Sequence, residues 1–124
     1  MPMISAIQQI AINAKDIGRA TAFYRDRLEL KHLFDAPPLM SLFDCGGIRL
    51  MLSLPTEPAL DHASSILYFR VDDIAAAHAA LVAKGVAFRD PPHVVARLPG
   101  REIWIAHFDD SEGNLLALTA EKSV

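Results

Sequence analysis

The chain repeats itself. Asp16–Ile17 recurs as Asp73–Ile74, 57 residues further on, and Gly47 recurs as Gly113, 66 residues further on. Around these landmarks both halves run strand, capped helix, Pro-Pro turn, strand, Gly turn, strand, and the nine extra residues fall in the middle of the second copy. Self-similarity at this period constrains a whole fold, because each copy must be one supersecondary unit. The expected architecture is α+β, one domain over residues 1–124 made of two βαβββ modules, 1–54 and 64–124, with a linker over 55–63.

The local grammar supports each element. Ile4 to Asn13 reads as a strand, and Asp16 sits where its carboxylate can accept the orphan N–H groups of a helix start. Ile17, Ala20, Phe23, Tyr24 and Leu28 follow at helical spacing. Strands are expected over Leu30–Phe34, Leu39–Cys45 and Ile48–Leu54, separated by the Pro37–Pro38 turn and the tight Gly46–Gly47 turn. In the second half Ser64–Val71 reads as a strand, and Asp72 or Asp73 caps a helix carrying Ile74, Ala77, Leu81 and Val82. Gly85 suits the left-handed position just past that helix. Val86–Arg89, Glu102–Asp109 and Asn114–Ala120 read as strands, Pro91–Pro92 as a turn, and His93–Leu98 as an extended or mobile stretch.

Composition narrows the classes of function. At 52% hydrophobic and 22% charged the chain is an ordinary packed domain, and its 124 residues bury enough surface to need no staples. The net charge of −3 and the lack of any Lys/Arg stripe argue against nucleic acid and anionic membranes as partners. No apolar run approaches the roughly 20 residues of a membrane span, and the first residues do not resemble a signal peptide. With a single cysteine, Cys45, expected as a buried thiol in an apolar strand, these features point to the cytoplasm.

Side-chain alternation then sorts the strands into faces. One face carries Ile10 and Ile12, Leu50 and Leu52, Leu67 and Phe69, Leu116 and Leu118, and should pack beneath the helices. The other carries Gln9, Ala11 and Asn13, then Arg49, Met51 and Ser53, then Tyr68 and Arg70, then Ala117 and Thr119. Such a mixture is too apolar for open solvent and too polar for a second core. It suits a partly enclosed surface that holds a small molecule.

The motifs Gln9–Ile10–Ala11–Ile12, Asp16–Ile17, Ala22–Phe23–Tyr24–Arg25–Asp26 with Leu28, Val71–Asp72–Asp73, and Asp109–Asp110–Ser111–Glu112–Gly113–Asn114–Leu115–Leu116 resemble, in this order, the vicinal oxygen chelate superfamily. That superfamily includes glyoxalase I, extradiol dioxygenases and bleomycin-resistance proteins, and the resemblance covers nearly the whole chain. It implies curled mixed sheets around a cavity with helices outside, and often a homodimer. It also implies metal-ligand positions, which fall on Gln9 and Ile66 in the first strands and on Met51 and Ala117 in the last. Among these only the Gln9 amide could bind a hard divalent cation, and a thioether such as Met51 suits soft metals. The resemblance therefore points to a member without the usual metal site, and no cofactor is expected.

The candidate ligand-binding residues are Gln9, Asn13, Arg49, Met51, Tyr68, Trp104 and His107, with no catalytic residue assigned. His107 shares its strand face with Ile103 and Ile105, while Glu102, Trp104, Ala106 and Phe108 share the opposite one, and the residues alone leave open which face lines the cavity. Arg97 and Arg101 could meet an anionic ligand from a loop, and the acidic turn over Asp109–Glu112 reads as structural. His78 is expected at the helix surface. The leading function is a metal-free protein that binds a small, partly apolar organic ligand. The alternative is a lyase- or isomerase-type enzyme, with a metal rebuilt from Gln9, His93, Glu102 and His107 or with acid/base work by His107 alone. An interaction module without a small-molecule role is the third reading.

Overall fold

The computed structural model describes residues 3–36 and 39–124, which form two compact units, Met1–Ser64 and Ser65–Val124. In the first unit, strand β1 (Gln9–Asn13) leads into helix α1 (Ile17–Ala22), which runs on through a π-helical turn over Phe23–Arg27. Strands β2 (Lys31–Ala36), β3 (Met40–Cys45) and β4 (Ile48–Ser53) complete a four-stranded sheet in the order β1-β4-β3-β2. The outer pair β1–β4 is parallel and the other pairs are antiparallel.

Physical chemistry accounts for these boundaries. Asp16 caps α1 by accepting the Arg19 N–H at 3.0 Å, as its sequence position predicts. Ile4–Gln8 was expected as strand but is not, because β4 begins at Ile48 and its pairing with β1 begins at Gln9 opposite Arg49. The anticipated Pro37–Pro38 turn lies outside the described residues. The core between α1 and the sheet is Ile12, Ala20, Phe23, Tyr24, Phe43, Leu50 and Leu52, all buried. Phe43 anchors it, with the rings of Tyr24 at 6.1 Å and His32 at 5.1 Å.

The second unit starts with β5 (Leu67–Arg70) and helix α2 (Ile74–Ala83), which Asp73 caps through the Ala76 N–H at 3.1 Å. Gly85, at φ +84°, ends the helix: its N–H reaches the Val82 carbonyl at 2.9 Å and the Val86 N–H reaches Leu81 at 3.0 Å. Ile74 is buried beneath the helix, but Val82, expected on the packed face, is 49% exposed. His78, expected at the surface, is half-buried and stacks edge-on against Phe88 with the rings 4.4 Å apart.

Strands β6 (Ala87–Phe88), β7 (His93–Leu98), β8 (Arg101–Asp109) and β9 (Leu115–Ser123) follow. The sheet order is β5-β9-β8, with β6 and β7 both paired to β8. Strand β6 pairs with the end of β8 at Phe108–Asp109, and β7 with its beginning at Arg101–Ile105. They are therefore two pieces of one edge strand, which makes the unit a βαβββ module with its second strand broken. The break is at Asp90–Pro91–Pro92, since a proline has no N–H to donate to a ladder. Pro91–Pro92, expected as a turn, thus interrupts an edge strand: the nine extra residues of the second half extend that strand, and His93–Leu98, which could have been mobile, is part of the sheet. Among the described residues no helix is long and apolar enough to cross a membrane.

Candidate functional site

Each sheet has one face under its helix and one face open. In the first unit the register sets Gln9 beside Arg49, Ala11 beside Met51 and Asn13 beside Ser53, on the face opposite the buried Ile12, Leu50 and Leu52. The Gln9 amide donates to the Met51 sulfur at 3.5 Å. Asn13 is engaged with the linker: its side-chain amide donates to the His62 carbonyl at 2.7 Å, and its backbone N–H to the Ser64 hydroxyl at 3.3 Å. The Nε of Arg49 is shielded from solvent and meets no acceptor among the described residues.

In the second unit the register sets Tyr68 beside Ala117 and Arg70 beside Thr119, and across β8 it sets His107 beside Ala117 and Ile105 beside Thr119. Tyr68 and His107 therefore flank Ala117 on one open face, their rings edge-to-face at 6.2 Å. Further along that face Arg70, Asp72, Ile103, Thr119 and Glu121 line a depression of about 400 Å³. Arg101 is engaged there, paired with Glu121 at 3.2 Å.

Trp104 does not join Tyr68 and His107. It shares its strand face with Phe108, which packs against Phe88, and Phe88 meets His78 of α2, so Trp104 lies on the α2 side of the sheet. Lys122 covers its ring, with Nζ 4.0 Å from the centroid, and its indole N–H is shielded from solvent with no acceptor among the described residues. Glu102 shares that side and pairs with Arg97 at 3.1 Å, so it does not meet His107 or His93. The acidic turn is structural: the buried Asp110 accepts the backbone N–H groups of Glu112 and Asn114, each at 2.8 Å.

Sequence reasoning missed Asp90. Where the prolines interrupt the edge strand, Asp90 Oδ1 accepts the backbone N–H of His107 at 2.6 Å, the place a strand carbonyl would otherwise hold. Its Oδ2 lies 3.0 Å from His107 Nδ1. Burial pushes the Asp90 carboxyl upward, but the His107 N–H, the His107 ring and the charge of His93 outweigh it and hold the group below its ordinary range. An aspartate directly before a Pro-Pro dipeptide offers a side-chain acceptor where the strand breaks, but nothing in the sequence names His107 as its partner.

The family model described as Glyoxalase/Bleomycin resistance protein/Dioxygenase superfamily matches residues 6–118. The chain belongs to this superfamily. No sequence among the curated proteins matches it. Among solved structures, this superfamily member resembles a lactoylglutathione lyase from Agrobacterium tumefaciens, with 23% identity, 96% of each chain covered and a TM-score of 0.76. It also resembles TnmS3, an antibiotic binding protein from a Streptomyces species, with 25% identity, 98% of this chain and 100% of that one covered, and a TM-score of 0.77. A superfamily member from Sphaerobacter thermophilus matches at 23% identity over 96% and 99% of the two chains, with a TM-score of 0.76.

Of the four positions at which the resemblance in sequence implies metal ligands, Gln9 and Met51 lie in contact in the first unit, and Ile66 and Ala117 lie in the second. Their donors are one amide oxygen and one thioether, the latter already in contact with the Gln9 amide nitrogen. Among the described residues no group of three or more His, Cys, Asp or Glu side chains is gathered as around a metal ion.

Proposed function

We propose that this superfamily member binds a small, partly apolar organic molecule on the open faces of its sheets, without the divalent metal of its catalytic relatives. The make-up of the open face carries this reading. In the second unit the half-exposed Ile105 stands beside the polar ends of Tyr68, Arg70, His107 and Thr119 around the buried Ala117, and Tyr68 is 49% exposed. That is the composition of a ligand surface, where apolar contact supplies affinity and a few polar groups fix orientation. In the first unit Gln9, Arg49 and Met51 offer a similar mixture. The likeness to an antibiotic binding protein supports the same reading.

The donor set does not fit a hard divalent cation. A catalytic site of that kind needs about three protein ligands with oxygen or nitrogen donors, and the inherited positions offer one neutral amide oxygen. The reading extends to a homodimer, which light scattering on the purified chain checks, and to the cytoplasm, which cell fractionation checks.

The test is elemental analysis of the untagged protein, followed by a thermal-shift screen. Less than about a tenth of an equivalent of any transition metal, together with stabilisation by aromatic or amphipathic small molecules, is the expected result. Near-stoichiometric metal sinks the metal-free reading, and a screen without any stabilising compound sinks ligand binding.

A second reading, lyase- or isomerase-type chemistry by acid/base catalysis, is favoured by one observation, the pairing of His107 with Asp90. Turnover that the His107→Gln substitution abolishes would select it.

A further inference from the structure

We propose that the open face of the second unit takes a weakly acidic ring compound, a phenol or enol, by accepting its O–H proton at His107 Nε2. This rests on the reading that the open face binds a small molecule, and it adds the chemical class. The argument starts at Asp90. An ionised carboxylate has no proton to give, so the contact between Oδ2 and Nδ1 at 3.0 Å requires Nδ1 to be the donor. The second Asp90 oxygen is fixed by the His107 backbone N–H, so the carboxylate cannot rotate away and the imidazole is held in one tautomer. Nε2 is then the ring's acceptor, and no protein donor meets it among the described residues.

The surroundings select the rest of the ligand. Tyr68 presents its ring edge-to-face with the imidazole at 6.2 Å, and Ala117 lies between the two on β9. A flat ring laid against the exposed Tyr68 ring and the half-exposed Ile105, above the buried Ala117, places a hydroxyl at Nε2 and its face against apolar atoms. When the hydroxyl ionises, its O–H bond breaks and an Nε2–H bond forms. The imidazolium is balanced by Asp90, and the oxyanion stays beside the imidazolium. Arg70, on the same face of β5 as Tyr68, supplies a guanidinium with no ion-pair partner among the described residues. His93 faces the same way, opposite Ile105, and Arg89 is engaged with Asp109 at 2.9 Å.

The probe is 4-nitrophenol, whose ionised form absorbs visible light and whose neutral form does not, with 4-nitroanisole as the analogue lacking the proton. At about pH 6, where the free probe is mostly neutral, adding the full chain should produce the visible band, and the anisole should bind at least about tenfold more weakly. Asp90→Asn keeps an acceptor for the His107 backbone N–H but turns an amide N–H toward Nδ1, which moves the ring proton to Nε2. That variant and His107→Gln should both lose the band while retaining a cooperative thermal transition. Binding of 4-nitrophenol without the band, or equal binding of the anisole, overturns the proton acceptor and leaves ligand binding standing. No binding of either probe also overturns it, and only a blank thermal-shift screen besides would remove the broader reading.

Discussion

Asp90 replaces a stretch of strand for His107: one carboxylate oxygen accepts the backbone N–H at 2.6 Å and the other meets the ring at 3.0 Å. The prolines that break the edge strand thereby put a carboxylate beside an imidazole on the open face. A half-buried backbone N–H left without an acceptor costs about 1–2 kcal/mol. Asp90→Ala should lower stability by about that much in urea denaturation, and Asp90→Asn by less, because it keeps an acceptor. If the two substitutions are equally harmful, the carboxylate is not replacing a ladder carbonyl.

The same contact carries a pH dependence. The Asp90 carboxyl is held below its ordinary range in the folded chain, with burial opposed by the bonds from His107. A depressed carboxyl contributes stability that is fully present above the unfolded value, about 3.9, and is lost as pH falls through the folded value. Acid unfolding followed by circular dichroism should therefore be shallower in Asp90→Asn than in the unaltered chain below about pH 4. Parallel curves would remove the Asp90 contribution.

Glycine substitutions should have opposite signs at two positions. Gly85 holds φ +84° at the end of α2, where an L side chain is strained, so Gly85→Ala should cost about 1 kcal/mol. Gly18 lies in the first turn of α1, where an added Cβ meets only Asp16 Oδ1 at 3.5 Å, an ordinary contact. Gly18→Ala should stabilise by up to about 0.5–1 kcal/mol through helix propensity. Both are read from denaturation midpoints, and a shift in the same direction for both would contradict the helix boundaries.

Phe43 is the keystone of the first unit, fully buried between the rings of Tyr24 and His32. Phe43→Ala should cost about 3–5 kcal/mol, whereas Phe43→Leu, which refills most of the volume, should cost markedly less. Thermal denaturation of the two variants separates a packed core from a loosely filled one.

Much of the fold was legible because the repeat carries its own register. The two offsets that align Asp16 with Asp73 and Gly47 with Gly113 also relate the rung Ala11–Met51 to the rung Tyr68–Ala117, so a pairing seen in one unit carries over to the other. The helix-covered face followed from alternation at Leu50, Leu52, Leu116 and Leu118, all of them buried. The Asp90–His107 contact was not legible, because it joins residues 17 apart across a broken strand. No local pattern marks that pairing, and the Pro-Pro dipeptide that causes it reads equally well as a simple turn. Val82 misled because an alanine-rich helix offers apolar residues on every side, so periodicity cannot pick out the packed one.

Trp104 and Tyr68 give the last prediction. Both are aromatic residues on adjacent parts of one sheet, but the register puts Trp104 on the α2 side under Lys122 and Tyr68 on the open face beside His107. A ligand beside His107 on the open face touches the exposed Tyr68 ring and is separated from Trp104 by the thickness of the backbone. Equilibrium dialysis with 4-nitrophenol should therefore show affinity weakened about tenfold, or about 1.4 kcal/mol, by Tyr68→Ala. Trp104→Phe should change it by no more than about twofold, even where it lowers the melting temperature by disturbing the Lys122 contact. Weakening by Trp104→Phe alone would put the binding surface on the other side of β8, against the faces that the strand pairing defines.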